Sequence, residues 1–239
     1  MKRKLSHRKL ESLTDKICDE NLRHRVLELL RNPTFVIDGK KHQGLPFDVS
    51  PAGKSNHHCY PGGYVEHVVS TANIALAMCA SVEEVYHGKV NRDLVLAGVL
   101  LHDVFKPVTY SVDEHGGIGS TRLGDYLDHL SIATSELVRR GFPLELVHIV
   151  AAHHGSYGPI RPHTIEALIC HLADLADSRL NSEILSAASY LARNAVGQEL
   201  FEMNSKEAFE IVRSKAIGGW GGVAKTVEKI NQKRKAHKA

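Results

Sequence analysis

Apolar residues recur at three- and four-residue spacing through most of the chain while alternating patterns are few, so the sequence predicts an all-α protein. Leu10 to Leu30 carries that spacing and stops at Asn32-Pro33, where proline's missing donor and the restriction on the residue before it end a helix. Residues 33–63 are rich in Pro, Gly, Asp and Ser and read as a loop with one short extended piece, Thr34–Asp38. Pro61-Gly62-Gly63 punctuates the start of a helix from Tyr64 to Ser81. Asn91 caps the next helix, Arg92 to Val104, which closes at Pro107. Its run DLVLAGVLLHDV is apolar nearly all round, the pattern of a central, buried helix. Residues 108–122 form a hairpin or an irregular loop. Helices follow from Asp125 to Arg140, from Leu144 to His154 between Pro143 and Gly155, and from Pro162 to about Ser178. Two more fit Glu183–Val196 and Lys206–Ala216, after which the glycines of 218–222 break the pattern. The chain thus divides into an N-terminal helix with a basic start (1–32), a helical core (33–217), and a Gly-rich loop with a basic tail (218–239).

With 239 residues, 43% of them hydrophobic, the chain can bury its own core. No apolar run approaches the length of a membrane span and the first residues lack the apolar stretch of a secretory signal, so a cytoplasmic protein is expected, with no membrane partner. The four cysteines show no C-x-x-C pair, which signals neither a disulfide framework nor a thiolate zinc site. Residues 1–10 and 225–239 each carry about +5; with +3 for the whole chain, the body between them is about −7. A nucleic-acid groove places its basic excess on the folded body, so this division favours a small substrate over nucleic acid. Gly53-Lys54-Ser55 is not the end of a P-loop, because Asp48 stands where the first glycine belongs.

Twelve of the sixteen histidines fall between His57 and His171, and imidazole is the commonest protein ligand for transition metals. His102 and Asp103 end a long apolar run, and a buried carboxylate must be paired, hydrogen-bonded or bound to metal. His67 opens one helix, His129 begins another, His153-His154 ends a fourth, and Asp174 lies inside a fifth. A bundle can converge such side chains on one interior point. His67, His102, Asp103 and Asp174 would form a mixed N/O set suited to Mn, Fe, Co, Ni or Zn, and His129 and His153 allow a second ion with Asp103 as the bridge. His58 can contact substrate or protonate a leaving oxygen. Asp177, one turn beyond Asp174, can orient a ligand from behind, and His171 reads as a hydrogen-bonded core histidine.

The order His67, His102-Asp103, Asp174 resembles the H…HD…D signature of the HD-domain phosphohydrolases over roughly residues 57–181. The resemblance implies an HD-domain helical bundle with a central buried metal site of one or two ions. His129 and His153-His154 resemble the subset with two-metal centres, His154 serving as a ligand or a substrate contact. Lys106 fits the subset reading HD-x-x-K, in which the lysine touches the substrate phosphate; its loss would then lower turnover and leave metal content and folding nearly unchanged. Phe105 departs from the pattern, where many relatives have glycine.

Two finer likenesses point to different substrates. HHCYPGGYVEH, LAGVLLHDVFK, AAHHG and EALICHLADLADSRL resemble the HD domain of YhaM-type 3′–5′ exoribonucleases. The length and N-terminal helix resemble archaeal HD proteins that open dihydroneopterin 2′,3′-cyclic phosphate, usually with Fe²⁺. The expected function is a metal-dependent phosphodiesterase or phosphomonoesterase on a small nucleotide-like or pterin cyclic phosphate, with Asp103 and Lys106 carrying catalysis. Alternatives are exoribonuclease activity on single-stranded RNA, an HD-type sensor or regulatory module, and di-iron oxygenase chemistry.

Overall fold

The structure is a computed structural model that describes residues 8–113, 117–197, 200 and 203–238. Helices α1 (Arg8–Thr14) and α2 (Glu20–Arg31) replace the single helix expected from Leu10 to Leu30. Their break is held from outside: the Asp93 carboxylate accepts from the backbone N–H groups of Cys18 and Asp19 at 2.9 and 2.8 Å, while Asp19 itself caps α2. The extended piece at Thr34 gains a partner, since β1 (Thr34–Ile37) pairs antiparallel with β2 (Lys40–Gln43). Asp38 and Gly39, both at positive φ, make the tight turn between them.

Helix α3 (Gly63–Glu84) is long enough, and at a mean hydropathy of 1.3 apolar enough, to cross a membrane by length and composition, which the sequence reading passed over. It lies against α1, α4 (Arg92–Leu101) and α9 (Ile165–Val196), and its buried residues include His67 and Thr71. As its pattern predicts, α4 is central: Val95 through Leu101 are all buried, and it packs on α1, α2, α3, α8 (Leu144–Ala151) and α9. Gly98 permits the close approach of α8, because a Cβ there would stand 2.3 Å from the Ile149 side chain.

After α4 come a short α5 (Lys106–Thr109) and a hairpin of β3 (Tyr110–Val112) with β4 (Ile118–Ser120). The helix expected from Asp125 is two, α6 (Arg122–Tyr126) and α7 (His129–Arg139), because Asp128 accepts from the Ser131 N–H and starts α7 afresh. The pair expected at 162–178 and 183–196 is one helix, α9: Arg179–Ser182 contain no glycine or proline, and Gly197, at φ 69°, ends it.

The Gly-rich loop and basic tail expected over 218–239 are instead part of α10 (Ser205–Lys238), which is helical on both sides of a kink at Gly219. Val223, Val227 and Ile230 bury against Ala188 and Ala192 of α9 in a second, smaller core, and this apolar stripe holds the chain helical beyond the glycines.

Candidate metal centre

Packing of α3, α4, α7, α8 and α9 brings the ends of several helices to one point. His67 stands in α3, one turn from its start; His102 is the C-cap residue of α4 and Asp103 follows it. His129 is the first residue of α7, His153 and His154 lie in the turn after α8, and Asp174 projects from α9. His67, His102 and Asp103 are fully buried and His153 nearly so.

Hydrogen positions follow from what the ring nitrogens face. His67 Nδ1 is 2.7 Å from Asp177 Oδ2 and His102 Nδ1 is 2.7 Å from the Val99 carbonyl; both partners only accept, so both rings carry hydrogen on Nδ1. Their Nε2 atoms then meet at 3.1 Å, an arrangement that needs a positive charge between them. Without an ion that charge is a proton: burial opposes it, but Asp103, Asp174 and Asp177 overcome burial and raise the His67 pKa well above the usual histidine range. His153 is similar on the other side, with Nδ1 2.7 Å from the Val150 carbonyl and a pKa well below normal through burial and the neighbouring His102 and His154.

Asp103 sits between two donor sets. Its Oδ2 lies 3.3 Å from both His67 Nε2 and His102 Nε2, and its Oδ1 lies 3.2 Å from His129 Nε2 and 3.7 Å from His153 Nε2. Burial would raise the Asp103 pKa, yet His102 and Lys106 outweigh burial and hold it well below the carboxylate range. Asp103 Oδ1, His129 Nε2 and His153 Nε2 are buried without a hydrogen-bond partner, a costly state that an ion would relieve. Ligand atoms of His67, His102 and Asp174 lie within 4.8 Å of one another, and so do those of His129, His153 and His154. Metal–ligand bonds of about 2.1 Å fit inside both groups. The residues present therefore fit divalent metal.

The remaining residues take places that sequence left open. Lys106 is buried with its Nζ 2.6 Å from Asp103 Oδ2, so its ammonium is already engaged. His154 is partly exposed, its ring 4.0 Å from that of His153 and 5.1 Å from that of His129. His58 is 3% exposed and both ring nitrogens are occupied, Nε2 by Asp177 Oδ2 at 2.9 Å and Nδ1 by the Tyr60 hydroxyl at 2.8 Å. It stands behind His67. Asp177 receives both His58 and His67 on one oxygen, and those two histidines hold its pKa down against burial. His57 lies with its ring 5.1 Å from that of His67, and burial, with His67, lowers its pKa to about 3. His171 Nδ1 donates to the His153 carbonyl at 2.7 Å, so the expected hydrogen bond is present, but the residue is half-buried and stands at the edge of the core. Phe105 is fully buried in the main core. Sequence reasoning missed Tyr60, Asn181 and Ser205, polar residues that meet behind the ligands; nothing in their local pattern distinguishes them from surface positions.

A helical bundle that buries a carboxylate between two sets of imidazoles, with a lysine beside it, makes a divalent-metal centre. The HD domain family matches residues 64–179. A dihydroneopterin 2′,3′-cyclic phosphate phosphodiesterase of Methanocaldococcus jannaschii is 40% identical over 223 residues, 92% of this chain and 87% of that protein. The chain belongs to the HD-domain family. The 3′–5′ exoribonuclease YhaM of Bacillus subtilis is 35% identical over 156 residues, 59% of this chain and 46% of that protein, and YhaM of Bacillus licheniformis gives the same identity and coverage over 155 residues. No solved structure matches the chain.

Proposed function

We propose that this enzyme opens a small cyclic phosphate diester, of the dihydroneopterin 2′,3′-cyclic phosphate kind, at a centre of two divalent ions chosen from Mn, Fe, Co, Ni and Zn. The observation that carries the chemistry is Asp103, whose two oxygens face separate donor sets. The span of the likeness to the archaeal phosphodiesterase supports the small substrate.

Water adds to phosphorus, one P–O ester bond breaks, and the departing oxygen takes a proton, leaving a phosphomonoester. Divalent ions, when bound, supply positive charge that activates water and neutralises the phosphate. Asp103 keeps the two donor sets in register. Lys106, with one N–H turned to Asp103, keeps two for a phosphoryl oxygen beside it and steadies the charge that develops there. His154, partly exposed where His153 is not, touches substrate or delivers the proton in this reading, which its exposure supports. His58 supports His67 from behind.

A second reading, 3′–5′ exoribonuclease, is favoured by Lys225, Lys229 and Lys233, exposed at four-residue spacing on α10 and so able to attract a phosphate backbone. Truncating 225–239 is a poor test because Val227 and Ile230 belong to the second core. Metal-reconstituted enzyme and a variant with all three lysines changed to glutamate should instead be assayed on a pterin cyclic phosphate, a 2′,3′-cyclic nucleotide and a short single-stranded RNA at two ionic strengths. Ring opening of a monomer at the same kcat/KM in both proteins is expected. RNA cleaved faster than every monomer, with that advantage lost in the variant, would replace the small-substrate reading.

A further inference from the structure

Behind His67 lies a buried polar network that the reaction does not use. His58 adopts a left-handed backbone, φ 46°, which a side chain's Cβ disfavours. Two features hold it there. Its backbone N–H donates to Asn181 Oδ1 at 2.7 Å, and its carbonyl lies over Gly63, where a Cβ would approach within 2.1 Å. The His58 ring shares Asp177 Oδ2 with His67, so the position of His58 sets the acceptor that fixes the His67 ring.

The same network reaches α10. Asn181 Nδ2 donates to Ser205 Oγ at 2.9 Å, and Ser205, the first residue of α10, also contacts the Tyr60 hydroxyl. That hydroxyl donates to Glu66 at 2.9 Å, within α3 and one residue before His67. Tyr60, His58, Asp177 and Asn181 are each no more than 5% exposed, so little water is available to replace a lost partner.

We propose that Asn181 and Ser205 are positioning residues of the metal centre: Asn181 holds His58 in its left-handed turn so that Asp177 orients His67, and Ser205 locks this network to the head of α10. Docking of α10 is thereby linked to metal affinity. The inference rests on the metal-dependent reading of the site.

The test uses full-length protein stripped of metal and titrated with Co²⁺, followed by calorimetry and by the visible absorption of the bound ion, with the melting temperature of each metal-free variant measured alongside. Asn181→Leu and Ser205→Ala should weaken Co²⁺ binding on the order of tenfold, the low end for groups that orient metal ligands, and alter the absorption bands. Ser205→Thr, which keeps the hydroxyl, should restore both. Ser205→Ala removes one partly exposed hydroxyl and carries the test alone if Asn181→Leu does not fold. Unchanged affinity and spectrum in the variants, even with a lower melting temperature, would reduce both residues to packing roles and overturn the proposal. A wild-type protein that takes up no Co²⁺ would sink the metal reading itself, a failure visible before any variant is compared.

Discussion

Replacing Lys106 by methionine removes a buried ammonium and leaves an aliphatic chain of similar length in its place. In the metal-free protein the loss takes from fully buried Asp103 the cation 2.6 Å from its Oδ2 and leaves that oxygen only the more distant His67 and His102 rings at 3.3 Å. Breaking a buried pair from one side costs about 3–5 kcal/mol, since the remaining charge has no water to turn to. For a domain of this size each kcal/mol moves the melting temperature by about 2–4 °C, so the metal-free variant should melt about 6–20 °C below wild type. Bound ions compensate Asp103 directly, so saturating Mn²⁺ should close most of that gap and raise the variant's melting temperature more than the wild type's. Turnover with metal should fall about 10²–10³-fold, the cost of deleting one preorganised donor to a developing oxyanion. Scanning calorimetry with and without Mn²⁺, and steady-state kinetics on a cyclic phosphate, read these separately. Sequence alone led to the expectation that folding would be nearly unchanged; the buried pair leads to a different expectation for the metal-free state. Equal melting temperatures without metal, or an equal Mn²⁺ shift in both proteins, would refute the argument.

Wild-type protein equilibrated with excess Mn²⁺ and desalted should retain two ions per chain by elemental analysis, and Asp103→Ala should retain almost none; equal content in the two would remove Asp103 from the centre. Glu136 is buried and takes hydrogen bonds from Arg139 and Arg140 that outweigh burial and lower its pKa, so Glu136→Gln should cost about 2 kcal/mol near neutrality. A depressed carboxylate pKa stabilises fully above the unfolded value of about 4.3 and is lost as pH falls through the folded value, so the stability gap between wild type and variant should shrink on acidification. A gap that is constant from pH 7 to pH 3 in denaturant titrations would contradict this.

The helical class, the central place of α4 and the candidate ligands were legible in the order of the amino acids. These are local properties: a run that is apolar all round must be buried, and a His–Asp pair at its end must find a partner there. A cap such as Asn91 acts within a few residues and was equally readable. Other features depended on atoms distant in the chain. Asp93 separates α1 from α2, and the Ala188 and Ala192 surface of α9 keeps α10 helical past its glycines. Lys106 turned out to be the partner of Asp103, and His58, read as a substrate contact, stands behind His67 with both ring nitrogens filled. Spacing along a helix says which face a side chain occupies; which groups meet it there is settled when that helix packs against another, and hydrogen bonding at about 3 Å is sensitive to that packing.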